Sequence, residues 1–421
     1  MTVTLAVIGG GSTYTPELVD GLAGQAARLP VGELVLQDID PDRLAPVAGL
    51  AGRILRRHGW PGRLRTTTSL PEAVTGADFV VVQLRVGGQA ARLQDETIPL
   101  RYGYLGQETV GAGGFGKALR TVPVVLELAE QVRRYAAGDA WIVDFTNPVG
   151  IVTQALLDAG HRAVGLCNVA IGLQREIARL LDVAPDRLAL AHAGLNHLTW
   201  ELAVRLDGTD VLPELLDRHA GALARYLDLP ADLLRDLAVI PSRYLRFYYR
   251  TAEQLARQQA GEIRARQVQR IERELLERYR DPALDTKPEQ LAQRGGRYYS
   301  EAAVRLIASL HDGRGDVQVV NVCNQGALAG LPDHAVVEVP ARIDATGAHP
   351  LPVGPLPPEL LGLVQHVKAY EHLAVEAAQT GDRRTARLAL LTNPLVGGHP
   401  AAGQLLAELL AANDELVRAP S

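Results

Sequence analysis

The chain has 421 residues, 47% of them hydrophobic and 22% charged, with 43 basic against 48 acidic side chains and a formal net charge of −5. That length and apolar content can bury at least one large core, and the interleaved charge offers no basic face or tail for nucleic acid. Two cysteines, Cys167 and Cys323, are too few for a disulfide framework, charges break the apolar runs short of a membrane span, and the first residues lack a signal peptide's cationic start, so a cytoplasmic protein is expected.

The first strand is expected at 3–8, apolar and rich in β-branched residues, running into Gly9-Gly10-Gly11-Ser12. A helix follows, with Thr15 as its cap, Pro16 at its first position and Leu18, Val19 and Leu22 at helical spacing. Further apolar runs at 33–37, 78–84, 140–145 and 163–166 end in Asp38-Ile39-Asp40, Arg85-Val86-Gly87-Gly88, Thr146-Asn147-Pro148 and Cys167-Asn168. Short buried runs separated by helix-length segments predict a parallel sheet covered on both faces. Ligands of such sheets bind beyond the carboxyl ends of the strands, where each of these glycine or polar clusters stands.

Beyond about residue 190 the pattern changes. Amphipathic helices at 213–237 and 252–279, strands at 317–322 and 335–339 and a helix at 360–380 predict a second, α+β lobe. The Pro-rich piece 349–358 reads as an ordered surface connection. The expected division is 1–190 for nucleotide binding and 191–421 for substrate and metal.

A helix opening straight after a glycine turn presents free backbone N–H groups and a positive dipole end, which suits a pyrophosphate. Gly9 and Gly11 supply the tight turn and the close backbone approach. Tyr14 stands where the usual fingerprint has its third glycine, so the strict motif is absent. Asp38 and Asp40 end the second strand, where NAD proteins bind ribose hydroxyls, and carboxylates there repel the 2′-phosphate of NADP. The plainer reading of either aspartate is a turn-former or helix cap.

Cys167 ends a buried strand, and His197 stands in Gly194-Leu195-Asn196-His197-Leu198. A thiolate and an imidazole held together could bind a divalent metal; taken singly, each is more often a core or hydrogen-bonding residue. Tyrosines alternate with arginines in Pro241-Ser242-Arg243-Tyr244-Leu245-Arg246-Phe247-Tyr248-Tyr249-Arg250, in a chain only 5% aromatic. Nearby positive charge would favour a phenolate; the plainer alternative is a half-buried aromatic stripe. Spacing does not choose among Tyr244, Tyr248 and Tyr249.

Taken in order, several short motifs act together. They are Ile8-Gly9-Gly10-Gly11-Ser12, Gln83-Leu84-Arg85-Val86-Gly87-Gly88, Gly106-Gln107-Glu108-Thr109 with Gly113-Gly114, and Thr146-Asn147-Pro148. Gly165-Leu166-Cys167-Asn168, Gly194-Leu195-Asn196-His197, Tyr244-Leu245-Arg246, Glu338-Val339-Pro340 and Pro394-Leu395-Val396 follow. Over nearly its whole length the chain resembles glycoside hydrolase family four, the NAD- and manganese-dependent glycosidases.

The resemblance implies an α/β fold: a Rossmann-type, doubly wound NAD-binding lobe of the lactate and malate dehydrogenase kind, joined to an α+β lobe with the active site between them. It implies NAD and Mn²⁺ as cofactors, with Gly9, Gly10, Gly11, Ser12, Asp38 and Asp40 at the nucleotide. Cys167 and His197 become metal ligands and Tyr244 the base. Arg85, Asn147, Asn168 and Arg264 become substrate contacts, Arg85 suiting a phosphate through its fork of donors. A homo-oligomer, dimer or tetramer, is implied as well.

Family members acting on α-linked phosphoglucosides resemble Cys-Asp at the metal cysteine, and the α-galactosidase and glucuronidase members resemble Cys-His. This chain has Cys167-Asn168, as in the 6-phospho-β-glucosidases. The implied reaction is hydrolysis of a phosphorylated disaccharide or β-glucoside by transient oxidation at C3, deprotonation at C2, elimination and addition of water, an exception to the two-carboxylate glycosidases. The alternatives are a 6-phospho-α-glucosidase or α-galactosidase of the same family, a 2-hydroxy-acid dehydrogenase, and a non-catalytic sugar-phosphate sensor.

Overall fold

In the computed structural model, which describes residues 2–296 and 298–418, Val3–Ile8 (β1) is a strand almost wholly buried, as its aliphatic composition requires. Beside it run β2 (Val31–Gln37), β3 (Arg63–Thr67), β4 (Phe79–Val82), β5 (Trp141–Asp144) and β6 (Ala163–Gly165), all parallel, in the order β6-β5-β4-β1-β2-β3. The Phe-Val-Val-Val of β4 is buried throughout, with helices covering both faces of the sheet. Five of these strands are the apolar runs of the sequence. β3 is an outer strand carrying Arg63 and Arg65, and that edge charge hides it from a search for apolar runs.

The later strands are β7 (Leu188–Leu195), β8 (Leu198–Leu206), β9 (Thr209–Asp210), β10 (Ile240–Pro241), β11 (Asp316–Cys323), β12 (Val336–Asp344) and β13 (Gly347–Pro350). β7, β8, β9 and β10 form a small antiparallel sheet. β11 and β12 are the strands expected at 317–322 and 335–339, but they add antiparallel to the edge of the first sheet, in the order β13-β12-β11-β6. The expected division after residue 190 falls inside β7, and β7 packs across β12, so one continuous core runs through both segments.

The helix expected at 213–237 is three: Leu212–Arg218, Ala220–Leu227 and Ala231–Leu237. Asp228 at φ +57° and Pro230 break it, since neither continues an α-helix. The helix expected at 252–279 divides at Gly261, in extended conformation, into Thr251–Ala260 and Arg264–Tyr279. Pro358–Thr380 matches the last expected helix and packs on the long helix Gly111–Tyr135. Thr15 does not cap its helix but begins it, and its hydroxyl accepts a hydrogen bond from Gln83 Nε2 at 2.8 Å, tying the helix to the end of β4. No described helix is long and apolar enough to cross a membrane.

Candidate active site

The turn after β1 passes so close to its neighbours that side chains are excluded. A Cβ on Gly9, whose φ is +86°, would lie 2.8 Å from the Gln83 carbonyl oxygen. One on Gly11 would lie 2.7 Å from the Asp38 carboxylate. The N–H groups of Gly9 and Gly10 donate to the Gln37 carbonyl at 3.0 and 2.6 Å, and that of Gly11 donates to Asp38 at 2.9 Å. Ser12 Oγ accepts from the Tyr14 N–H at 3.3 Å and from Arg294 at 3.4 Å.

The two aspartates differ in what they hold: Asp38 accepts the Gly11 N–H and, at 3.1 Å, the Asp40 N–H, so it is a turn-former as well. Asp38 belongs to the glycine turn. Asp40 accepts the N–H groups of Asp42 at 3.0 Å and Arg43 at 3.1 Å and is the N-cap of helix Pro41–Arg57, the plainer of its two readings. Between them Ile39 is 76% exposed. A side-chain-free cradle before a helix, a carboxylate at the end of β2 and an apolar side chain standing open beside it fit the pyrophosphate, ribose and base of a dinucleotide.

β7 and β8 form a hairpin whose two-residue loop is Asn196-His197, with His197 at φ +64°. The loop reaches Cys167, just beyond β6, through Asn196, whose side chain approaches the sulfur as a hydrogen-bond donor together with that of Tyr299. The ring of Tyr244, in the 3-10 turn Arg243–Leu245, stacks on the His197 ring with centroids 3.6 Å apart. Of the three candidate tyrosines this is the one at the pair. Tyr248 packs with Leu105, Val110, Phe247 and Leu395, and Tyr249 faces Trp200.

Burial pushes the Cys167 thiol up to about 12, and Glu338 adds to the effect. Burial brings the His197 imidazole down to about 4, so the ring is neutral at neutral pH. Tyr244 is pushed up to about 12 by burial and then by Cys167. The cation opposing that rise is Arg243. Arg264 is exposed at the start of its helix and spends its guanidinium on Gln267 and on the Gln293 carbonyl at 2.6 Å.

A neutral imidazole and a thiol that ionises only against positive charge suit a divalent metal. Asn147 Oδ1, buried without a partner, is a further oxygen at the ends of these strands. Among the described residues no third His, Cys, Asp or Glu joins the pair, which leaves positions for substrate or water, as catalytic metals require.

Arg85 does not offer a free fork: both its terminal nitrogens engage Glu108. Glu108 also takes Arg92 at 3.3 Å and Lys117 at 2.8 Å. Burial alone would raise the Glu108 carboxyl, but Arg85, Lys117 and Arg92 outweigh it and hold it well below the usual carboxylate range. Glu96 pairs with Arg92 at 2.7 Å and accepts the Ala265 N–H at 2.8 Å. Arg264 and Arg243 border the same basin, so that Arg85, Arg92, Lys117, Arg243 and Arg264 are set against Glu96 and Glu108, while Asp95 and Glu272, which also reach it, are themselves paired with Arg120 and Arg294. That surplus suits a phosphate. Asn168 stands half-buried at the start of helix Val169–Leu181 without capping it.

Glu108, Lys117, Tyr299 and Glu338 lie outside the residues expected from sequence. Glu108 and Glu338 stand in recognisable motifs that carry no role by themselves, whereas Lys117 and Tyr299 have no local signal.

Residues 4–183 match the family model described as family 4 glycosyl hydrolase, and residues 192–396 match its C-terminal domain. A probable 6-phospho-β-glucosidase of Bacillus subtilis (strain 168) is 44% identical over 424 residues, covering 97% of this chain and 96% of that protein. The structure of the 6-phospho-β-glucosidase from Thermotoga maritima with manganese, NAD⁺ and glucose-6-phosphate is similar at a TM-score of 0.93 and 36% identity, over 98% of this chain and 99% of that one. Malate dehydrogenase from Plasmodium falciparum with NADH, at TM-score 0.55 and 14% identity over 89% of this chain and 98% of that one, shares the fold alone.

Proposed function

The chain belongs to family 4 of the glycosyl hydrolases, and from that premise we propose that it is a 6-phospho-β-glucosidase using NAD⁺ and Mn²⁺. The observation that carries this reading is the meeting of Cys167, His197 and Tyr244 at the carboxyl edge of the parallel sheet. When bound, NAD⁺ supplies a reversible hydride acceptor for C3 of the sugar and Mn²⁺ a Lewis acid for its hydroxyl oxygens.

The protein's own groups do the rest. The Gly9–Ser12 turn and Asp38 bind and orient the dinucleotide, and Cys167 and His197 hold the metal. Tyr244 Oη takes the proton from C2 and later returns it, its ring held in place by His197. The basin around Glu108, with Arg85, Arg92, Lys117, Arg243 and Arg264, receives the 6-phosphate. Asn147 Oδ1 faces the sugar hydroxyls as an acceptor without another partner. Asn168 is an amide and delivers no proton, which supports the β-linked subtype and leaves the departing oxygen to water. The nucleotide role falls to 1–190, which also lends Cys167 to the substrate and metal segment 191–421. Two free thiols support a reducing cytoplasm, and the family resemblance supports a homo-oligomer.

The test is nitrophenol release from p-nitrophenyl β-glucoside 6-phosphate with NAD⁺, Mn²⁺ and a thiol reductant, each then omitted in turn. The α-anomer and the unphosphorylated β-glucoside run alongside. Turnover of the phosphorylated β-substrate that disappears without either cofactor is expected. Turnover of the α-anomer alone overturns the subtype, and cofactor-independent release overturns the mechanism.

A further inference from the structure

Behind the metal pair lies a polar cluster that the reaction does not use. His192 and Glu201 face each other across β7 and β8, with Nδ1 2.7 Å from the Glu201 carboxylate. The other ring nitrogen lies 3.1 Å from Glu338 Oε1, on β12. The second carboxylate oxygen, Glu338 Oε2, accepts the amide of Asn196 at 2.7 Å and the amide of Asn321 at 3.0 Å. His192, Glu201, Glu338 and Asn321 are each at most 1% exposed.

One partner of that oxygen lies in the loop that carries His197, and the other on the strand paired with the one that leads to Cys167. Asn196 immediately precedes His197 in the hairpin loop. Asn321 on β11 pairs with Gly165, the last residue of β6, from which the chain runs through Leu166 to Cys167. Gly165 admits no side chain here, because a Cβ would lie 2.9 Å from that of Asn321 and 2.1 Å from Thr153 Oγ1. We propose that Glu338 is a positioning residue for the metal: its carboxylate holds the cysteine strand and the histidine loop at one separation and so sets the affinity for a divalent cation.

The charge balance points the same way. Two carboxylates and one imidazole are taken out of water together, and such a cluster is costly to bury, so packing alone gives no reason for it. Even with the imidazole protonated it retains one negative charge. Glu338 stands near enough to act on both Cys167 and His197 electrostatically. Outer groups that orient metal ligands in this way commonly alter affinity tenfold to a hundredfold when removed.

This inference rests on the metal assignment made above, and the experiment separates the two. Mn²⁺ and NAD⁺ dissociation constants are measured by titration calorimetry on the reduced full-length protein, for wild type, Cys167→Ser, Glu338→Gln and Asn196→Ala. Glu338→Gln is expected to weaken Mn²⁺ binding about tenfold to a hundredfold with NAD⁺ affinity unchanged, and its turnover is expected to recover as Mn²⁺ is raised. Asn196→Ala leaves the buried ionic groups in place and tests the histidine side of the link should Glu338→Gln fail to fold; weakened Mn²⁺ binding is expected there too. Wild-type Mn²⁺ affinity in Glu338→Gln, or in Asn196→Ala if the former does not fold, overturns the proposal while Cys167→Ser still loses the metal. No Mn²⁺ binding by wild type, or undiminished binding by Cys167→Ser, removes the metal assignment and this inference with it.

Discussion

The rings of His197 and Tyr244 lie face to face, with centroids 3.6 Å apart and planes 9° from parallel. One comes from a hairpin loop and the other from a 3-10 turn, so the proposed base is located by the proposed metal ligand. Stacking holds a phenol by its faces and leaves the hydroxyl for proton transfer.

Tyr244→Phe keeps that ring and loses only the hydroxyl. Turnover should fall on the order of a hundredfold to ten-thousandfold, the usual contribution of a general base, with Mn²⁺ and NAD⁺ affinities retained. His197→Ala should lose Mn²⁺ and activity together and still bind NAD⁺. Steady-state rates with two binding isotherms decide the matter, and full turnover by Tyr244→Phe would exclude it as the base.

Asp38 and Asp40 should separate cleanly. Removing a charged acceptor from the Gly11 N–H in Asp38→Ala should weaken NAD⁺ binding roughly tenfold to a hundredfold, as loss of a hydrogen bond to a charged group commonly does. Asp40→Ala removes a helix cap, so it should cost about 1 kcal/mol of stability and leave NAD⁺ affinity alone. Nucleotide titration and urea unfolding of both variants measure this; a large loss of NAD⁺ affinity in Asp40→Ala would return that residue to the cofactor.

Glu108→Gln leaves Arg85, Arg92 and Lys117 without the carboxylate they share. Breaking a buried ionic group in this way costs about 3–5 kcal/mol, which should appear as a lower midpoint in denaturant. Inorganic phosphate should restore part of that stability, because it replaces the missing negative charge. A variant as stable as wild type would mean that the basin is wetter and its charges better screened than the geometry implies.

His192 is raised to about 10: burial opposes protonation, but Glu201 and Glu338 outweigh it. A folded-state pKa above the unfolded value means that the native protein holds the extra proton. The resulting stabilisation is full below the ordinary histidine range and is lost as pH rises toward 10. Thermal midpoints of wild type and His192→Gln should therefore differ most near pH 6 and converge toward pH 10. Taking the difference cancels Lys117, whose burial-lowered pKa of about 8 gives an opposite slope in the upper part of that window. A constant difference would show that His192 does not ionise there.

Much of the parallel sheet is legible in the sequence because its signals are local. A buried parallel strand must be apolar along its length, and a turn as close as the one after Ile8 must be glycine, so β1, β2, β4, β5, β6 and the cradle can be found within a few neighbouring residues. The Cys167-Asn168 and Asn196-His197 pairs are likewise visible where they stand, and the order of such motifs along the chain points to the family.

Long-range packing decided what those residues do. Asp40 became a cap when its helix formed beside it, and Arg85 entered an ionic cluster with Glu108 from a separate loop. β11 and β12 joined the first sheet, a pairing between residues as distant as Gly165 and Asn321 that local composition does not encode. The hairpin that carries His197 sets that ring against Tyr244, a contact that the spacing of Tyr244, Tyr248 and Tyr249 does not encode. The pKa values of Cys167, His197 and His192 were decided the same way, because desolvation and neighbouring charge belong to the assembled fold and not to the residue type.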